Sequence, residues 1–209
     1  MIRKNKKEIE LLNKLEKEIL TPVTFIQGYS AILKNSSSLQ NTDIQNINKI
    51  ERSAERIMTT VQSLLLAFEI ENKKQKVKLE SMPVTTTTYD ALGKFIRLAK
   101  TRKINFTLSG QSTSNVITNK KFFIHALSSL TQEILLSLEK GNIDVFIKKE
   151  GGDILIIFKV VFDQKNQTKI SETPGYELAE LFIKKSKNKI SFNKKDNLQT
   201  ITIRLVTSI

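Results

Sequence analysis

From Lys6 to Leu33 the apolar residues Ile9, Leu12, Leu15, Ile19, Val23, Ile26 and Leu33 recur at threes and fours, one stripe along a long helix. Pro22 falls inside the pattern, where it removes a backbone donor and is expected to bend the helix. The stretch Lys34–Asp43 is polar and reads as a loop, with Thr42 or Asp43 as N-cap of the next helix. A second stripe follows through Ile47, Ile50, Ala54, Ile57, Val61, Leu64 or Leu65, and Phe68. Glu51, Arg52, Glu55 and Arg56 occupy its opposite, solvated face. Two such helices cannot shield wide apolar faces from water by themselves. A symmetric dimer closing a four-helix bundle solves that problem.

The pattern then changes. Glu71–Glu80 is polar, and residues 71–82 read as a linker between a helical hairpin over 1–70 and a second domain over 83–209. In that domain Thr88–Arg102 has helical periodicity, Ile104–Leu108 alternates like a strand, and Val116–Ile117 is a short extended piece. Lys120–Glu139 is a strongly apolar helix. Asn142–Lys149 and Ile154–Phe162 flank Gly151-Gly152, a hairpin signal, and the second of them is apolar on both faces like a central strand. A helix over Gly175–Lys185 and strands at Ile190–Phe192 and Thr200–Val206 complete the set. The fold class is therefore α+β: a helical hairpin forming a dimeric four-helix bundle, then a two-layer α/β sandwich.

Composition narrows the chemistry. The 209 residues include no Cys and a single His, so disulfides, thiolate metal sites, thiol nucleophiles and paired-imidazole sites are all excluded. No apolar run is long enough to span a membrane, and the charged N-terminus is not followed by the apolar core of a secretory signal, so a cytoplasmic address is expected. The net charge of +13 implies an anionic partner. Six lysines (Lys184, Lys185, Lys187, Lys189, Lys194, Lys195) crowd twelve residues, with a second cluster at Arg3–Lys7. Nucleic-acid surfaces usually add Arg and stacking aromatics, and here Phe192 alone is close.

Glu18-Ile-Leu-Thr-Pro-Val-Thr-Phe-Ile-Gln-Gly-Tyr-Ser-Ala-Ile-Leu33 resembles the phosphoacceptor helix of sensor histidine kinases, which reads roughly His-Glu-Leu-Arg-Thr-Pro-Leu and continues Ile-x-Gly-Tyr. Ile50–Met58, running on to Leu64–Glu69, is similar to that family's second bundle helix, and the following domain resembles its ATP-binding domain in length and element order. The resemblance extends from about Leu11 to Val206, and it implies a homodimer working with a response-regulator receiver domain or a partner histidine kinase.

The departures are chemical. Lys17 stands where the resemblance implies the phosphorylated His, and a protonated ammonium has no nitrogen lone pair to accept a phosphoryl group, so autokinase activity is not expected. Glu18, Thr21 and Pro22 match the family, while its Arg is Leu20 here. The family's Mg²⁺-binding Asn corresponds to Glu133, which reads rather as a solvated position on an amphipathic helix. Its adenine-reading Asp-x-Gly-x-Gly is represented only by Asp163, without the glycines, and its Gly-x-Gly-Leu becomes Gly175-Tyr-Glu177-Leu. A carboxylate at 177 repels a triphosphate. No cofactor or metal is expected.

His125, mid-helix beside core positions, reads as a packed or edge residue. Ser36–Ser38 and Thr85–Thr88 read as polar connectors. The expected function is a degenerate histidine-kinase-like protein that docks its partner through Lys17, Glu18, Thr21 and Pro22 on the first helix. Two alternatives stand beside it: a receiver phosphatase using Glu18 and Thr21, one turn apart on one helix face, and a basic nucleic-acid binder.

Overall fold

The computed structural model describes residues 19–35, 40–72, 78–138, 140–163 and 169–207. It divides into two compact units, Met1–Lys74 and Gln75–Ile209.

The first unit is a helical hairpin. Helix α1 (residues 19–34) continues through Pro22, and α2 spans Asn41–Asn72. Val23 and Ser30 of α1 and Ile47 and Ala54 of α2 are buried, each pair seven residues apart, which is the repeat of a seam between packed helices. Lys34 donates to Glu51 across the hairpin at 3.0 Å, an exposed ion pair that ties the solvated face of α2 to the end of α1. Asp43 does cap α2, but from inside its first turn. Its carboxylate accepts from the Gln40 N–H at 3.1 Å, the return half of a capping box, which leaves Gln40 at the cap position. Ser36–Ser38 lie outside the described residues, as do the side chains of Arg52, Glu55 and Arg56.

The second unit contains β1 (Glu80–Pro83), α3 (Val84–Thr101), β2 (Asn105–Gly110), β3 (Asn115–Thr118), α4 (Lys120–Ser137), β4 (Gly141–Glu150), β5 (Asp153–Phe162), a 3₁₀ turn (Ile170–Glu172), α5 (Pro174–Lys185), β6 (Lys189–Lys195) and β7 (Leu198–Leu205). The main sheet has the order β2-β4-β5-β7-β6, with β2 parallel to β4 and the other pairs antiparallel. β1 and β3 form a separate antiparallel pair. Alternation along each strand sends one set of side chains to the buried face. Register then aligns them in rows, Leu108–Val145–Phe158–Ile201–Phe192 and Ile147–Ile156–Ile203–Ile190. β5 is the middle strand, as its two-sided apolar pattern predicts. Gly151 and Gly152 both have positive φ (58° and 92°), which the two-residue turn to β5 requires.

Two expectations need correction. Thr85–Thr88 are not a connector but the first turns of α3, with Thr87 and Thr88 buried. Pro83 presets φ ahead of the helix, and the Thr85 hydroxyl both donates to Ser112 O and accepts from Ser112 N at 2.9 Å, so tertiary bonds override weak helix propensity. The second is Glu80–Ser81–Met82, assigned by sequence to the linker, which pairs with β3.

Arg102, just past α3, donates to the carbonyls of Leu135 and, at 2.7 Å, Leu138, closing the C-terminal end of α4. Arg102→Met keeps the stem but removes both bonds and leaves the two carbonyls without these donors. It should lower stability by about 2 kcal/mol, read as a reduced urea midpoint with an unchanged slope.

Candidate functional site

Three of the residues singled out by sequence on the second unit, Glu133, Gly175 and Glu177, lie at the start of α5. Asn119 caps α4, its side chain accepting from Phe122 N at 2.9 Å and donating to Lys78 O at 2.8 Å. The apolar face of the helix then carries Ser129 and Glu133 toward α5. Upstream of α5, the buried Gln199 side chain accepts from Ile170 N at 2.8 Å, tying the 3₁₀ turn to the sheet. Thr173 directs its hydroxyl back to Ile170 O at 2.7 Å and makes no side-chain cap for α5. Helix α5 thus begins Thr173-Pro174-Gly175, with proline in its first turn.

Gly175 is the point of contact. A Cβ on it would lie 2.7 Å from Glu133 Cβ, 2.7 Å from Ser129 O and 2.9 Å from Glu133 Oε2. Only a residue without a side chain lets α5 approach α4 this closely. Glu133 is consequently half-buried against α5, not the solvated helix position its sequence context suggests. Glu177 is exposed in the same first turn of α5. Two carboxylates therefore stand near this helix end, whose first turn begins at Pro174 and already bonds the Tyr176 and Glu177 N–H groups to Thr173 O at 3.1 Å.

Asp163 is exposed at the end of β5. The strand is closed off behind it by Asn197, whose carbonyl accepts from Phe162 N and whose amide donates to Phe162 O, both at 3.0 Å. Thus Gly175, Glu133 and Glu177 come together, while Asp163 belongs to a different strand end. Among the described residues no three His, Asp or Glu side chains converge as metal ligands would.

His125 is the packed residue its context predicts. Its ring centroid lies 5.9 Å from that of Phe182. Burial, then the ammonium groups of Lys121 and Lys94, push its pKa below the ordinary imidazole value, which favours the neutral ring.

On the hairpin, Lys17 and Glu18 lie outside the described residues. Thr21 and Pro22 are exposed on α1. Sequence reasoning missed the ridge beside them, where Phe25 (60% exposed), Tyr29 (65%) and Ile32 (68%) project together with Ile26 and Leu33. The available signal was the i, i+4, i+7 spacing of 25, 29 and 32 on a second face. On α2, Ile50, Ile57 and Leu64 are exposed at strict seven-residue intervals. Ile26, Leu33, Ile50, Ile57 and Leu64, read from periodicity as one set with Val23, Ile47 and Ala54, are thus left on the outside of this hairpin.

The six C-terminal lysines divide between the end of α5, the turn at Lys187 (φ 61°) and β6, and Lys184 pairs with Glu180 at 2.8 Å. No helix among the described residues is long and apolar enough to cross a membrane.

Gly175→Ala tests the helix contact. Gly-to-Ala inside a helix ordinarily stabilises by roughly 1 kcal/mol. Here the collision with Ser129 O and Glu133 should reverse the sign, destabilising by about 1–3 kcal/mol in urea unfolding. Adding Glu133→Ala should recover only part of the loss, because the Ser129 carbonyl stays in place.

The His Kinase A (phospho-acceptor) domain family matches residues 7–73. Among solved structures, the Acinetobacter baumannii histidine kinase AdeS is similar at 14% identity and a TM-score of 0.62, over 92% of this chain and 98% of that one. Histidine kinase ThkA, in complex with response regulator protein TrrA, is similar at 16% identity and a TM-score of 0.61, over 99% of this chain and 65% of that one. Full-length ShkA in complex with AMPPNP is similar at 11% identity and a TM-score of 0.63, over 95% of this chain and 46% of that one. No curated protein matches by sequence. At these identities the structural likeness is one of fold.

Proposed function

This chain has the fold of a sensor histidine kinase catalytic core, and we propose that it is a degenerate one that works by docking rather than by phosphorylating itself. Its partner is a response-regulator receiver domain or a partner histidine kinase in two-component signalling, met on the α1 surface around Lys17, Glu18, Thr21 and Pro22. The observation that carries this reading is the exposure of Thr21 and Pro22 next to the Phe25–Tyr29–Ile32 ridge, a surface fit for a protein partner. A structural neighbour, ThkA, is described in complex with a response regulator. The heptad-spaced Ile50, Ile57 and Leu64 supply a seam for a second copy, giving a homodimeric four-helix bundle.

The chemistry has been subtracted at two places. At position 17 an ammonium replaces the group that would accept phosphate. At the start of α5, Glu133 and Glu177 replace neutral partners of a polyphosphate. What remains at Lys17 is a positive charge suited to the acidic pocket of a receiver domain. A cytoplasmic setting follows from such a partner. The exposed Thr21 favours a second reading, in which Glu18 and Thr21 orient water against a receiver's phosphoryl group.

One experiment separates these readings. Receiver domains encoded in the source genome are phosphorylated with acetyl phosphate, then titrated with the chain. Binding of at least one is expected, weakened about tenfold or more by Lys17→Glu or Thr21→Arg, without faster phosphate decay. Accelerated decay abolished by Thr21→Ala would establish the phosphatase. Failure of every receiver domain and every histidine kinase of that genome to bind would refute docking.

A further inference from the structure

β6 is an outer strand of the main sheet, paired through Lys189–Lys195 with β7 on one side. An edge of this kind presents alternate N–H and C=O groups to solvent, a template for a further strand. Its surroundings are uniformly basic: residues 184–195 contain six lysines and no Asp or Glu. Lys184 is neutralised by Glu180. Lys185, Lys187, Lys189 and Lys195 are exposed and make no ion pair among the described residues, and the nearest acid in the chain, Asp196, begins the turn to β7.

Lysines on an edge strand guard against pairing with another copy of the same edge, because like charges would face each other. The same charges favour an edge-to-edge match with a strand of opposite sign. We propose that the outer edge of β6 receives an extended acidic segment of a partner protein as a sixth strand of the sheet. Main-chain hydrogen bonds would set its register and the lysines would select its charge.

Nucleic acid fits this edge less well. The lysine cluster contains no Arg, and its one aromatic, Phe192, is half-buried with its ring edge-to-face against Tyr176 at 6.2 Å, so it offers no stacking platform. A sugar-phosphate backbone also cannot complete a β ladder. This inference is independent of the docking reading of α1, because it concerns the other unit of the chain.

The test uses the full chain and three fluorescein-labelled probes in anisotropy titrations: a ten-residue peptide of alternating Glu and Val, the same peptide N-methylated at every residue, and a ten-nucleotide oligodeoxythymidylate. The unmethylated peptide should bind about tenfold or more tighter than either other probe and weaken as salt rises. Lys189→Glu with Lys195→Glu should weaken it about tenfold or more while leaving the urea midpoint of the chain unchanged. Equal binding of the methylated peptide would overturn strand addition, leaving only diffuse charge attraction. Tighter binding of the oligonucleotide would make this a nucleic-acid surface, and no binding of any probe at low salt would leave the lysines as edge guards alone.

Discussion

There is no room for a side chain between the first turn of α5 and the body of α4. That constraint, met by Gly175, brings α5 down onto Ser129 and Glu133 and decides what the helix end can do. The same approach that packs the two helices places an acidic residue of α4 beside the first turn of α5, where Thr173 contributes no cap of its own. Glu177 adds a second carboxylate on the solvent side of that turn. A glycine that could have opened the backbone to a phosphate group instead serves a helix–helix contact.

The rest of the second unit supports this arrangement. Gln199 fixes the 3₁₀ turn that feeds α5, and Arg102 holds the far end of α4 through its last carbonyls. The hairpin unit shows the opposite economy of surface: among its described residues few side chains are buried, and large apolar ones project from both helices. A surface so apolar is unfavourable in isolation. Its cost is consistent with a chain whose working state is an assembly.

What could be read from the sequence follows the range of the forces involved. The β4–β5 hairpin was legible because Gly151-Gly152 and the alternation beside it are local signals, and α4 because its apolar run is long. The strand at Glu80–Pro83 carried no such signal, since Glu, Ser, Met and Pro are poor strand formers and only the distant Asn115–Thr118 makes them one. The extension of β6 through Lys194 and Lys195 likewise depends on pairing with Gln199 and Leu198 of β7. Among the site residues, Gly175 and Glu177 were singled out only by the resemblance of Gly175-Tyr-Glu-Leu178 to the family's Gly-x-Gly-Leu. The contact of Glu133 with Gly175 was not legible, because it spans two helices, and the exposed ridge on α1 was hidden within a pattern that reads equally as core.

Part of the net charge of +13 lies in the six lysines at the end of α5 and along β6, while the start of α5 carries Glu133 and Glu177. In the function proposed, the nucleotide chemistry is gone while the scaffold remains. Isothermal titration of the chain with ATP in the presence of Mg²⁺ tests it most directly. No heat of binding is expected at micromolar to high-micromolar ATP; a saturable micromolar isotherm would show a working nucleotide site.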